Sequence, residues 1–217
     1  MIKGILFDFD MTLIDTSPAL LDNINRIAAH FGLPQCTMPR LMEKIGLNSH
    51  DFWVEILGDK KPEYMEYYRN ECMPNEAALM VPTPGAFECL ERLRSVGVKV
   101  GCASNRVHPM RVVRAKEFEH LMDCVVGAEH VAEPKPAPDV LLKGAELLGC
   151  GIDETIYVGD TEFDIEAARR AEMRSVVVVT SNPRERLEAA RPWRIIDDLR
   201  ALVPLLEDEG ELPISRV

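Results

Sequence analysis

Five short, largely apolar runs constrain this chain more than any other feature: IKGILF (2–7), VKVGCA (98–103), CVVGA (124–128), TIYVG (155–159) and SVVVV (175–179). Each is rich in Val and Ile, and turn or polar residues come after it. That is the habit of strands buried on both faces in a parallel sheet. Helical patterns fill the intervals, most clearly AFECLERLRSV (86–96), PDVLLKGAELLG (138–149) and FDIEAARRAEM (163–173). In the second of these, Leu141, Leu142, Ala145 and Leu148 recur at helical spacing and Gly149 ends the run. Alternating strand and helix predicts an α/β fold: a Rossmann-like open parallel sheet with helices on both faces.

One region breaks the alternation. Residues 16–81 carry no convincing strand, and helices are expected at 17–31, 38–45, 50–57 and 62–72. VPTPG (81–85) then punctuates the chain with two prolines and a glycine. The expected organisation is a core of residues 1–15 and 82–217 with a helical domain, 16–81, inserted after the first strand. A module inserted there is expected over the carboxyl ends of the strands, where open α/β sheets bind ligands.

The formal charge of −11 and the absence of a long basic run argue against a nucleic-acid partner. The longest apolar stretches fall far short of the ~20 residues that cross a bilayer, and acids interrupt the first run by position 8, unlike a signal peptide. Six cysteines without a CxxC pair, several inside apolar runs, fit reduced structural thiols in a cytoplasmic protein. A monomer or a homodimer is compatible with this sequence.

The residues just beyond the strands carry the chemistry. The first run ends in Asp8-Phe9-Asp10-Met11-Thr12, the second in Ser104-Asn105-Arg106, and the fourth in Gly159-Asp160-Thr161-Glu162-Phe163-Asp164; a loop holds Glu133-Pro134-Lys135-Pro136. Acids crowded at the end of a buried strand raise one another's pKa, so a compensating cation is expected. In a doubly wound sheet these ends share one edge. Carboxylates, a hydroxyl and one ammonium converging there suit a hard divalent ion such as Mg2+ and a phosphoryl group.

DFDMT, a strand ending in Ser104, Lys135 in KPAPD and GDTEFD (159–164), in that order, resemble the haloacid dehalogenase superfamily, and more closely its phosphoglycolate phosphatase-like branch with a helical cap. The resemblance implies a Mg2+-dependent phosphatase acting on a small phosphorylated metabolite, with Asp8 as nucleophile and Asp10 as acid and base. It further implies that Thr12, Ser104, Asn105 and Lys135 serve the phosphoryl group and its loop. Asp8, Asp10 (through its carbonyl), Asp160 and Asp164 would serve the metal. Met11 stands where the family usually has glycine. A sugar-phosphate mutase would use the same residues. A dehalogenase would not need Asp10, a phosphonatase would need a cap lysine in a diagnostic setting, and a non-catalytic phosphometabolite binder would need no second acid.

Taken singly, these residues have plainer readings: Asp8, Asp10 and Asp160 as turn residues, Ser104 as a helix cap, Asp164 as a first-turn acid, Lys135 as a solvated lysine. In the insert, Asn48, Ser49 and His50 form a polar cluster and Arg40 and Lys44 are cations within reach of a substrate, with helix–helix turn and surface placement as the plainer readings. The tail EDEGELPISRV (207–217) reads as frayed.

Overall fold

The computed structural model describes residues 1–45, Leu47 and 49–212, with Ser49 described only as the first residue of a helix. They form two compact units, one of Met1–Ile14 with Pro82–Val217 and one of Asp15–Val81.

The first unit, whose helices include α5 (Ala86–Ser95), α6 (Met110–Ala115) and α9 (Arg184–Ala190), is built on a six-stranded sheet. Its strands are β1 (Gly4–Phe7), β2 (Lys99–Ala103), β3 (Cys124–Val126), β4 (Thr155–Gly159), β5 (Arg174–Val178) and β6 (Arg194–Ile196). The order is β3-β2-β1-β4-β5-β6 and every pairing is parallel. Strand β1 is central and buried along its whole length, which explains why its sequence is apolar without alternation. Phe7 lies opposite Cys102 of β2 and Val158 of β4, so the residues beyond the ends of these three strands emerge side by side. The strand β6 is absent from the sequence expectation. It is three residues long, and Ile196 is its only buried member, too little apolar pattern to read.

The helix α7 (Asp139–Leu148) covers one face, burying Val140, Leu141, Gly144, Ala145 and Leu148, and Gly149 closes it in the left-handed conformation at φ 64°. Leu142, expected inward, is exposed; the stripe runs through Val140 and Gly144 instead. These residues pack with Leu6, Ala103, Val126, Tyr157, Ala167 and Ala168 in one apolar cluster. The last two belong to α8 (Glu162–Arg170). Beyond α10 (Leu202–Asp208) the tail is not frayed through residue 212: Glu209 pairs with Arg194, Glu211 pairs with Arg174, and Leu212 is buried. Arg174 and Arg194 also lie over the ring of Trp193, at 4.6 and 4.9 Å from its centroid.

The second unit holds α1 (Ser17–Phe31), α2 (Met38–Lys44), α3 (Ser49–Leu57) and α4 (Pro62–Tyr67). The helix expected over 62–72 changes to a wider π turn at Tyr68–Cys72, and a 3-10 segment, Met73–Leu79, continues the chain with Pro74 near its start. Its own core gathers Ile24, Ile27, Leu41, Phe52, Trp53, Ile56, Tyr64 and Cys72. No described helix is long and apolar enough to cross a membrane, and all six cysteines are unpaired.

Candidate active site

The carboxyl ends of β1, β2 and β4 bring the motif residues of the first unit together. Asp8, Asp160 and Asp164 are buried, and one oxygen of each lies within 4.8 Å of the others. The Lys135 ammonium sits among them, with Nζ 2.8 Å from Asp8 Oδ1 and 2.7 Å from Asp164 Oδ1. Its third partner is the hydroxyl of Tyr157, at 2.8 Å. The contacts with Asp164 and Tyr157 are hydrogen bonds, and that with Asp8 is an ion pair whose Oδ1 has no hydrogen-bond donor.

Charge in this pocket is unbalanced. Three carboxylates face one ammonium. Burial pushes the Asp8 carboxyl up to about 6, against the pull of Lys135. Burial and the Asp164 and Asp8 charges drive Asp160 well above the usual carboxylate range. Asp164 moves the other way: burial opposes its charge, but Lys135 and the hydrogen bonds of Thr161 outweigh that cost and hold it low.

Asp164 owes its satisfaction to local sequence. Thr161 caps α8, and the Asp164 carboxylate folds back to accept from Thr161 N (2.9 Å), Thr161 Oγ1 (2.7 Å) and Asp160 N (3.1 Å) on Oδ2. Its Oδ1 takes Lys135 and, at 3.2 Å, the Tyr157 hydroxyl. Gly159 makes this possible, since a Cβ there would meet Asp164 Cγ at 2.5 Å.

Asp160 is held differently. Its Oδ1 accepts from Thr12 Oγ1 at 3.0 Å, its Oδ2 from the Ser181 hydroxyl, and its carbonyl from Asn182 Nδ2 at 3.2 Å. Thr12 is itself fixed by Thr83, whose hydroxyl donates to the Thr12 carbonyl at 2.7 Å. Ser181 and Asn182 are buried. The sequence reading assigns them nothing, although polar residues just beyond SVVVV are a signal of the same kind as the others.

Ser104, also buried, accepts the Arg106 N–H at 3.3 Å. The Asn105 amide engages the Lys135 backbone on both sides, donating to its carbonyl (3.0 Å) and accepting its N–H (2.7 Å). Asn105 is therefore a clamp on the Lys135 loop. Asp10 stands outside the acidic cluster: both its oxygens are taken by the Arg106 guanidinium, at 2.7–3.1 Å. Met11 adopts φ 61°, the left-handed region that disfavours side chains by roughly 1–2 kcal/mol, which accounts for glycine being the common residue there in the family the motifs resemble.

In the second unit, Arg40 donates to the Glu55 carbonyl at 2.7 Å and Lys44 pairs with the Glu55 carboxylate at 3.0 Å, so both cations are engaged by α3. His50 is exposed in the first turn of α3. Asn48 and the Ser49 side chain lie outside the described residues.

Tyr157 also has no assigned role in the sequence, where it reads as one more apolar strand residue. Its hydroxyl joins Lys135, Asp164 and the Ala103 carbonyl (2.8 Å) beneath the charged cluster. Tyr157→Phe is expected to cost about 1–3 kcal/mol of stability, the usual range for a buried polar partner left unmade, read as a lower urea midpoint at unchanged slope. An unchanged midpoint would show that the hydroxyl contributes nothing there.

A doubly wound sheet with a carboxylate–ammonium cluster at the carboxyl ends of its central strands defines an α/β protein built to bind a charged ligand at that edge. The haloacid dehalogenase-like hydrolase family model matches residues 5–178, and the chain belongs to this family of enzymes. A phosphoglycolate phosphatase of Aquifex aeolicus is 31% identical over 78% of this chain and 81% of its own length. A pyrophosphatase, PpaX, of Bacillus mycoides is 28% identical over 94% of this chain and 97% of its own. Among solved structures, a haloacid dehalogenase superfamily hydrolase of Geobacter sulfurreducens matches with TM-score 0.73 at 25% identity, covering 95% of this chain and 100% of that one. A haloacid dehalogenase-like family protein of Streptococcus pneumoniae shares the fold at TM-score 0.82 and 18% identity, covering 94% and 98%.

Proposed function

We propose that this protein is a Mg2+-dependent phosphatase that hydrolyses a small phosphorylated metabolite through a phosphoryl group carried on Asp8. The observation that supports it most is the buried Asp8–Lys135–Asp164 contact beside Asp160. A nucleophilic carboxylate is held there by a cation that also suits phosphoryl oxygens.

The donor set fits a hard divalent ion. With all three carboxylates ionised, the ammonium leaves two negative charges uncompensated, and every candidate ligand atom is oxygen. Asp8, Asp160 and the Asp10 carbonyl would hold Mg2+, while Asp164 acts through its grip on Lys135 and on the Asp160 backbone. When bound, the ion supplies positive charge to the phosphoryl oxygens and offsets the crowding of acids.

The chain's own residues do the rest. An Asp8 oxygen attacks phosphorus as the bond to the leaving oxygen breaks, and that oxygen takes a proton from Asp10. Water then attacks phosphorus, Asp10 accepts its proton, the bond to Asp8 breaks and phosphate leaves. Ser104 and Lys135 hold the phosphoryl oxygens. Thr12, Asn105 and Tyr157 are positioning residues. The helical domain, 16–81, serves as the cap that excludes bulk water.

The test is phosphate release from 4-nitrophenyl phosphate, phosphoglycolate and pyrophosphate, in EDTA and after Mg2+ is restored. Turnover lost in EDTA and regained with Mg2+ is expected; turnover indifferent to EDTA would exclude the metal. A thermal melt adds a readout independent of turnover. Asp8 is raised to about 6, so it favours the folded metal-free protein at low pH, and that contribution fades as pH rises through 6. Mg2+ at about 100-fold over its Kd should stabilise the protein by about 2.7 kcal/mol at pH 8, roughly 5–11 °C at this size. At pH 5 the gain should shrink, because protons compete for the same carboxylates.

A further inference from the structure

Of the four acids to which the resemblance gives a role, Asp8, Asp10, Asp160 and Asp164, only Asp10 lies outside the cluster around Lys135. Arg106 Nε lies 3.1 Å from its Oδ1 and 3.0 Å from its Oδ2, and Nη2 lies 2.7 Å from Oδ1. The sequence assigns Arg106 no role, and neither the family match nor the relatives' names give it one. Its backbone is fixed on both sides. The N–H donates to Ser104 Oγ, and the carbonyl accepts from Ala128 N at 3.2 Å. The guanidinium is thus presented from the loop that carries Ser104.

Two features make this pair more than a structural tie. Its side chains are 13% and 32% exposed, whereas those of Lys135 and Asp164 are at 4% and 1%, so the pair is open to solvent where the rest of the cluster is not. And the arrangement conflicts with the work proposed for Asp10. An acid and base must turn an oxygen toward the leaving group and then toward water; here both oxygens rest on the guanidinium fork. A planar fork of this kind matches any carboxylate or phosphate edge.

We propose that Arg106 is a seat for a second anionic group of the substrate, and that Asp10 occupies this seat while no substrate is bound. A phosphorylated compound that also carries a carboxylate or another phosphate displaces Asp10 from the guanidinium, and the displaced carboxylate becomes available to the reacting oxygens. Recognition of the second anion and release of the acid/base group are then one event. The proposal rests on the phosphatase reading above and narrows it to doubly anionic substrates.

The experiment compares kcat/KM for three substrates in the full-length wild type, Arg106→Gln and Arg106→Lys. Phosphoglycolate carries a carboxylate, pyrophosphate a second phosphate, and 4-nitrophenyl phosphate neither. In Arg106→Gln the preference for a doubly anionic substrate over the aryl phosphate should fall at least about 30-fold, as expected when one member of a charge pair is removed. A fall confined to phosphoglycolate marks a carboxylate seat, and one confined to pyrophosphate marks a phosphate seat. Arg106→Lys keeps the charge without the fork; it should preserve the melting temperature and restore the preference only in part. An equal loss on all three substrates, or an unmoved preference, overturns the seat and leaves the phosphatase reading standing. A wild type that releases phosphate from none of them overturns both.

Discussion

Asp8→Asn is expected to abolish phosphate release while leaving the protein folded. Loss of a nucleophile that acts in concert with its neighbours costs on the order of 10⁴-fold or more in kcat. Here the amide also removes the acceptor to which phosphorus would be transferred. The same change should raise the stability of the metal-free protein. Burial lifts the Asp8 carboxyl to about 6, so above that pH the folded state carries an anion that it disfavours relative to the unfolded chain. The stability present at low pH is lost between about pH 4 and pH 6, by at most about 3 kcal/mol. A neutral amide escapes this loss. Phosphate release and a melt at pH 8 in EDTA test both halves. A variant retaining activity within tenfold of wild type would remove Asp8 from the nucleophile's role.

Lys135→Met should have the opposite sign for stability. The ammonium lies among Asp8, Asp164 and Tyr157, and the carboxylates hold it charged well beyond the ordinary lysine range against the cost of burial. Without it the buried carboxylates have no cation. Breaking a buried pair by removing one partner costs about 3–5 kcal/mol, or roughly 6–20 °C for a chain of this length. The loss should be smaller at pH 5, where Asp8 can take up a proton, than at pH 8. Thermal melts of both proteins at the two pH values check this. Equal losses at both would show that the ammonium contributes packing alone. Turnover should fall with stability at pH 8, since the phosphoryl oxygens lose their ammonium.

The two fates of neighbouring acids show what a sequence can and cannot carry. Strands β1, β2, β4 and β5 are buried on both faces, so their residues are largely apolar and their ends are marked by the first polar side chain. That makes Asp8, Ser104, Asp160 and the edge they share readable, and the proline-stiffened loop points to Lys135. Spacing does not report which oxygen each donor meets. The resemblance groups Asn105 with Ser104 at the phosphoryl group, and spacing gives no hint that its amide oxygen and one N–H bind the Lys135 backbone. Tyr157 is hidden because a tyrosine fits a strand whether or not its hydroxyl is used. Arg106 is hidden because an arginine in a loop after a strand is ordinarily solvated, and only the three-dimensional approach of residue 10 shows otherwise. Strand β6 and the pairing of Glu209 and Glu211 depend on contacts that leave no periodic trace.

The charged cluster also bears on how the chain reaches its native state. Thr12 meets Asp160 across 148 positions, Arg106 meets Asp10 across 96, and Lys135 meets Tyr157 across 22. Contacts of such separation form slowly, because the intervening chain must be closed first. The helices of residues 17–67, by contrast, rest on neighbours close in sequence. A chain emerging from the ribosome therefore carries Asp8, at the end of its first strand, without its ammonium until Lys135, more than a hundred residues later, has been made and β4 has docked beside β1. No shorter N-terminal fragment holds the cluster, so catalytic competence would report on the last long-range pairings to form rather than on the bulk of the secondary structure.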